Sequence, residues 1–339
     1  MIPELNGIRT ITLANLPTPL EEAPRLAKKI GVDTLYFKRD DLTGLAGGGN
    51  KARKLEYDFY EILDGGYDVV ITAGGIQSNH ARMTAAAARK FGLGVKLVLG
   101  GPDFQALKGN LLLDVLFGAE VRYLVDDDSN EQLAAAMEKW AGELTAKGFK
   151  PYIIPIGGST GLGALGYVQA MHELAGQLCG EKVQVVLGVG SCGTFAGTVL
   201  GCKMFLPEAR VIGISVSRSV DAIKKRTAEV IRESAQLINY NYDAADVTIE
   251  CYDEYFTEYG VMTNECRKAI FDCANLEGIL LDQVYTGKVL AGLTGLVERD
   301  IIDRTIPVVF IHTGGMPILF SFEAEFAGQA HITKIRKPL

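Results

Sequence analysis

DVVITAGGIQSNHARMTAAAARK, residues 68–90, opens on an apolar, β-branched run and passes through two glycines and four consecutive polar side chains. It closes on an alanine-rich segment with helical spacing. A short continuous apolar run of this kind suits a strand buried on both faces, and the segment after the glycines suits a helix packed back on it. Similar runs recur at 34–37 (TLYF), 95–100 (VKLVLG), 120–125 (EVRYLV), 151–157 (PYIIPIG), 183–190 (VQVVLGVG), 210–217 (RVIGISVS) and 306–315 (IPVVFIHTGG). Helical spacing fills Asn130–Lys147, Gly163–Cys179, Gly193–Phe205 and Val284–Glu298 between them. Strand and helix alternating at this interval predict an α/β fold with mostly parallel sheets. The acidic stretch at 126–133 reads as a solvated loop, with Ser129 or Asp128 capping the next helix.

The bulk numbers narrow the function. A chain of 339 residues has room for two domains. Hydrophobic residues make up 48% and charged residues 22%, ordinary for a soluble globular protein. A net charge of −7 argues against nucleic acid as a partner, because a phosphate backbone calls for a basic surface. No stretch reaches the roughly 18 apolar residues of a membrane span. The N-terminus lacks a signal-peptide pattern. The six cysteines form no CxxC pair, so they read as reduced thiols, not a disulfide frame or a metal site; the expectation is a cytoplasmic protein without metal.

In open α/β sheets, ligands bind where strands end and helices begin. The first junction of interest is GLAGGGNKARKLEY, 44–57, where three glycines lead to Asn50 and Lys51. It is not a Walker loop: Asn50 separates Gly49 from Lys51, and Ala52 stands where a magnesium-binding hydroxyl belongs. A plain basic helix start and a lysine kept clear for a cofactor both fit it. The second is Gln77, Ser78, Asn79 and His80. Ser78 alone would serve as an N-cap, whereas four polar side chains in a row favour a ligand site at the helix N-terminus. The third, Gly190–Thr194, places glycines and hydroxyls where backbone amides wrap a phosphate. Gly188, Gly190 and Gly193 also spell G-x-G-x-x-G, but the next strand ends in Ser217, Arg218 and Ser219 without an acid. That disfavours NAD and leaves an NADP-dependent oxidoreductase as a rival through Arg218. The fourth is HTGGMP, 312–317, where His312 reads as a core histidine and Thr313 as the functional candidate.

A lysine after a bare loop, a phosphate-type turn, a carboxylate-type helix start and a hydroxyl at a strand end together suit pyridoxal phosphate. The chain resembles the fold type II pyridoxal phosphate enzymes, and among them the D-cysteine desulfhydrase and 1-aminocyclopropane-1-carboxylate (ACC) deaminase family. The segments that carry the resemblance are LPTPLEEAPRLAK (16–28), KRDDLTGLAGGGNKARKLEY (38–57), QSNHARMTAAAA (77–88), GGSTGLGALGYV (157–168), GSCGTFAG (190–197), VSRSV (216–220), LEGILLDQVYTGK (276–288) and HTGGMPILF (312–320).

The resemblance implies a tryptophan synthase β-like architecture: two open parallel-sheet domains with helices on both faces and the cofactor in the cleft between them. It puts the small domain at 48–160 and builds the large domain from 1–47 and 161–339. It implies a homodimer acting on a small amino acid. Lys51 would be the Schiff-base lysine, with Asn50 beside it. Asn79 would contact the phenolic oxygen, and Gly190, Ser191, Cys192, Gly193 and Thr194 would hold the phosphate. Thr286 and Thr313 would lie near the pyridine nitrogen. Ser78, Asn79, His80, Tyr259, Tyr285 and Gly314 would face substrate, with Lys51, Ser78, Tyr259 and Tyr285 as the catalytic set.

ACC deaminases carry Glu at the position of Thr286 and Leu at that of Thr313. Threonine favours a neutral pyridine, a weaker electron sink, which points to β-elimination from a cysteine-type substrate. D-cysteine desulfhydrase is the expected activity, with L-cysteate sulfo-lyase as the alternative and Arg218 as a candidate sulfonate contact. Three motifs depart from the desulfhydrase pattern, at Cys192, Ser159–Thr160 and Glu258. The last two would reshape the substrate pocket.

Overall fold

The computed structural model describes residues 5, 7–104, 106–127, 129–241, 243, 247–255 and 261–326. Tyr259 and Glu258, both singled out from the sequence, lie outside the described residues, as does Asp128.

Two sheets organise the chain. The six-stranded sheet runs in the order β1 (Leu20–Glu22), β2 (Leu35–Lys38), β10 (Val308–Ile311), β7 (Gln184–Val189), β8 (Arg210–Ser215) and β9 (Glu250–Tyr252). Among the described residues of this sheet, only the β1–β2 pairing is antiparallel. The four-stranded sheet is all parallel, in the order β5 (Glu120–Val125), β4 (Gly94–Gly101), β3 (Val69–Gly75) and β6 (Pro151–Ile153). Helices cover both faces, as a parallel sheet requires. In chain order they are α1 (Pro24–Ile30), α2 (Lys51–Asp64), α3 (Asn79–Lys90), α4 (Gly109–Leu116), α5 (Asn130–Thr145), α6 (Gly161–Leu178), α7 (Gly193–Phe205), α8 (Val220–Leu237), α9 (Asn264–Glu277), α10 (Thr286–Glu298), α11 (Met316–Leu319) and α12 (Glu323–Phe326).

Alternation along each strand feeds two cores at once. In β7, Val185, Leu187 and Val189 join one cluster and Val186 the opposite one. In β3, Val70 faces one way and Val69, Ile71 and Ala73 the other. Each of these valine, leucine and isoleucine side chains taken fully out of water contributes roughly 1.5–3 kcal/mol. The run PYIIPIG holds a strand only to Ile153; Pro155 lacks an N–H, and a short 3₁₀ turn follows at Ile156–Gly158.

A buried ionic cluster ties α2 to the larger sheet. Arg53 reaches both Asp40 oxygens at 2.9 Å and Glu173 on α6 at 3.0 Å. Lys38 at the end of β2 pairs with Glu173, and Tyr167 donates to Asp40 at 2.5 Å. Burial acts to raise the Asp40 carboxyl, but the Arg53 guanidinium outweighs it and holds the group below its usual range. The first turn of α2, which carries Lys51, is thereby anchored from below.

Candidate active site

The glycines of 44–57 have a steric cause. Gly47, Gly48 and Gly49 all take positive φ, and a Cβ on Gly48 would sit 1.8 Å from the Asp41 carbonyl oxygen. Gly49 and Gly314 meet backbone to backbone, since a Cβ on Gly314 would lie 2.8 Å from the Gly49 Cα. The Asn50 N–H then donates to the Thr313 carbonyl at 3.0 Å. The bare loop is thus pressed against the end of β10, and it delivers Lys51 as the first residue of α2 into a cleft of about 430 Å³. Its ammonium has no hydrogen-bond or ion-pair partner among the described residues. Burial pushes its pKa down to about 8.

Opposite lies the turn between β7 and α7. Cys192 adopts a left-handed conformation there, φ 72°, and the amides of the first turn of α7 have no partner within the helix. Asn50 Nδ2 donates to Thr194 Oγ1 at 2.8 Å, so the lysine loop and this turn are joined directly. Ser159 Oγ donates to Ser191 Oγ at 2.6 Å and accepts from the Gly193 N–H at 3.3 Å. Beneath the turn, Lys54 Nζ donates to the Gly157 carbonyl at 2.7 Å, and a Cβ on Gly193 would lie 2.6 Å from that nitrogen. Burial, then the neighbouring Lys51, pushes Lys54 well below its ordinary value, while burial raises its neighbour Asp58 to about 7. Lys54 was not singled out from the sequence. Its signal was the spacing from Lys51, three residues along one helix face.

The four polar residues 77–80 separate in the structure. Ser78 caps α3, its Oγ accepting from the Ala81 N–H at 3.1 Å, and its own hydroxyl hydrogen stays available to the cleft. Asn79 is half-buried at the cleft wall. Gln77 turns away and accepts from the Asn110 N–H at 2.8 Å. His80 touches the cleft, but its Nε2 bonds Thr72 Oγ1 at 3.0 Å, and burial followed by Lys51 and Lys54 keeps the ring neutral. The cluster read as one ligand site therefore contributes two side chains to the cleft directly and two to its support.

At the far end, Thr313 and Tyr285 line the cleft, the Tyr285 ring close to Gly190. Thr286 does not line it. Its hydroxyl donates to Asp282 Oδ1 at 2.7 Å and accepts from the Asp282 N–H at 2.8 Å, closing the turn that starts α10. Asp282, another residue the sequence did not flag, also accepts from the N–H groups of Val284 and Tyr285. Neither Gly193 nor Gly314 lines the cleft: the Gly193 N–H donates to Ser159 Oγ and the Gly314 N–H to Nδ1 of His312, a core histidine bonded to the Leu280 carbonyl at 2.9 Å. The Ser159–Thr160 departure lies outside the cleft lining: Ser159 supports the phosphate-type turn and Thr160 caps α6. The Cys192 thiol is buried and raised by that burial, so the turn is built from its backbone.

Residues 11–314 match a family described as pyridoxal-phosphate dependent enzyme. The chain belongs to this family. Relatives within it include a D-cysteine desulfhydrase of Yersinia pestis (strain Pestoides F), 43% identical over 95% of this chain and 98% of its own length. A Pyrococcus abyssi protein provisionally named 1-aminocyclopropane-1-carboxylate deaminase is also 43% identical, over 95% and 96%. The crystal structure of an ACC deaminase homologue superposes with a TM-score of 0.89 at 39% identity, covering 97% of this chain and all 100% of that one. A threonine deaminase from Solanum lycopersicum, TM-score 0.64 at 20% identity, shares the fold. The protein is a pyridoxal-phosphate dependent lyase with two parallel-sheet domains.

The cleft fits the cofactor on its own terms. An unpartnered lysine stands at one wall, a glycine turn whose first amides have no partner within α7 and a lysine beneath it at another, and an asparagine amide at a third. A Cβ at Gly193 would collide with Lys54 and Ser159, so the turn sits directly on the side chains that support it. Among the described residues, no group of three or more His, Cys, Asp or Glu side chains is placed to hold a metal, and no helix is long and apolar enough to cross a membrane.

Proposed function

We propose that this enzyme is a D-cysteine desulfhydrase, converting D-cysteine and one water into pyruvate, ammonia and hydrogen sulfide. One observation carries the choice: among the described residues, none that lines the cleft is a carboxylate, whereas the Thr313 hydroxyl is there. Without an acid at its nitrogen a pyridine stays neutral and withdraws electrons more weakly. That suffices where a thiol leaves readily and favours elimination over opening a cyclopropane ring. The names of the Yersinia relatives agree.

Lys51 would hold the cofactor, the 190–194 turn, braced from beneath by Lys54, its phosphate, and the Asn79 amide its phenolic oxygen. When bound, pyridoxal phosphate supplies a sink for the electron pair left at Cα. The chain's own groups do the rest. The Ser78 hydroxyl and the first amides of α3 bind the substrate carboxylate. The Lys51 amine, neutral above about pH 8, takes the Cα proton on its face. As the C–S bond breaks, Tyr285 gives the departing sulfur a proton; Tyr259 shares this assignment. The three-carbon enamine left behind takes up water to give pyruvate and ammonia.

A second reading has its own observation. Arg218 lines the cleft and has no ion-pair partner among the described residues, which suits the sulfonate of L-cysteate, eliminated as sulfite. A panel of D-cysteine, L-cysteine, L-cysteate and ACC separates the readings. Sulfide and pyruvate from D-cysteine are expected. Sulfite from cysteate alone would replace the first reading with the second, and 2-oxobutyrate from ACC alone would defeat both.

A further inference from the structure

We propose that Asn110 is a positioning residue that decides which end of the Asn79 side chain faces the cleft. The proposal rests on the reading of Asn79 as the partner of the cofactor's phenolic oxygen. The two ends of a carboxamide have nearly the same shape but opposite hydrogen-bonding character. An ionised phenolic oxygen needs the N–H end; the carbonyl end would repel it. Something must therefore fix the rotation of Asn79, and the structure assigns that task by a chain of single choices.

The chain starts at a group with no choice. The Gln77 backbone carbonyl accepts only, and Asn110 Nδ2 lies 2.8 Å from it, so the NH₂ end of Asn110 must point there. The same nitrogen lies 2.9 Å from Asn79 Oδ1. It carries two hydrogens, one for each acceptor. Asn79 must then turn its oxygen toward Asn110, which leaves its own NH₂ for the cleft it lines. Rotating Asn110 would set its oxygen against both acceptor oxygens, and rotating Asn79 would set one NH₂ group against the other.

Asn110 is itself locked. It is fully buried in the first turn of α4. Its backbone N–H donates to Gln77 Oε1 at 2.8 Å, and Gln77 Nε2 donates to the Lys108 carbonyl at 3.1 Å. The preceding Gly109 has φ 53°, and a Cβ there would lie 2.4 Å from Gln77 Oε1, so only glycine lets α4 approach this closely. The Gln77 side chain thus acts as the clamp that seats Asn110 against Asn79.

The test is a double-mutant cycle on the holoenzyme with Asn79→Ala, Asn110→Ala and the pair. It reads kcat, KM and the pH midpoint of the bound cofactor's visible absorbance. Loss of one donor to a charged oxygen should raise that midpoint by about one pH unit in Asn79→Ala and lower kcat about tenfold, with KM little changed. Asn110→Ala should move the midpoint in the same direction by about half that or more. The double variant should match Asn79→Ala alone, because the second change has nothing left to orient. Asn110→Asp, nearly isosteric and unable to donate, should do at least as much as alanine, and it carries the same cycle if the alanine variant does not fold. If Asn79→Ala shifts the midpoint while neither Asn110 variant does, or if the effects add, the proposal falls and the reading of Asn79 stands. A lowered melting temperature with an unmoved midpoint in the Asn110 variants also overturns it. An unmoved midpoint in Asn79→Ala would remove the reading of Asn79 and the proposal with it.

Discussion

Lys51 and Lys54 stand three residues apart on one helix, and burial lowers the pKa of both, yet their surroundings divide their roles. Lys54 is spent on the Gly157 carbonyl beneath the glycine turn, whereas Lys51 has an open cleft in front of it. Because burial brings Lys51 down to about 8, its amine is neutral above that pH and protonated below it. The rate at which cofactor-free protein gains its visible absorbance with added pyridoxal phosphate should therefore rise through about pH 8 and level off above it; a rate still climbing past pH 10 would contradict the assignment. Lys51→Ala should lose the absorbance and all turnover while keeping the circular dichroism of the parent, and residual turnover at the parental rate would count against it. The bare loop before this lysine was visible in the sequence, although on its own it fitted a plain basic helix start equally well. The direction of Gln77 and His80 was not. A side chain's type is local, but the partner that turns it inward sits 33 residues away for Gln77, at Asn110.

The elements that present the site meet through small residues and one buried charge cluster. α6 and α7 cross so closely that a Cβ on Gly197 would lie 2.1 Å from the Ala164 carbonyl oxygen. Gly197→Ala should therefore cost about 1–3 kcal/mol and, because α7 starts at the phosphate-type turn, weaken cofactor retention as well; melting temperature and cofactor off-rate measure the two. Arg53→Met should destabilise by about 3–5 kcal/mol, since it leaves Asp40 buried without its cation. The pH dependence has a definite sign. The folded-state pKa of Asp40 is lowered in the parent, so the parent keeps that stability above the carboxyl's unfolded value and loses it as pH falls through the folded one. Without Arg53, burial should raise the carboxyl instead, so the melting-temperature gap between variant and parent should narrow as pH is lowered toward about 4. A gap that widened would contradict the role of Arg53. The long apolar runs announced most strands to within a residue or two. β1 and β9 did not show, because their residues, LEE and ECY, form no apolar run and pair only through their neighbours' hydrogen bonds.

Across the whole molecule, the cleft is assembled from loops that neither sheet contains alone. The lysine loop rests on the end of β10, its asparagine holds the turn after β7, and Arg82 of α3 donates to the Gly48 carbonyl at 2.9 Å from the other side. The α/β class followed from the alternation of runs, and the cofactor from the conjunction of four junctions. The bracing by Lys54, Asp282 and Asn110 did not, because each acts across a contact that only the folded chain creates. All of this predicts one covalent attachment point. The holoenzyme should be reduced with borohydride, digested and mapped by mass spectrometry. The account predicts the pyridoxyl phosphate mass on the peptide that contains Lys51, at Lys51 itself; the same mass on Lys54, or on a peptide from elsewhere in the chain, would contradict it.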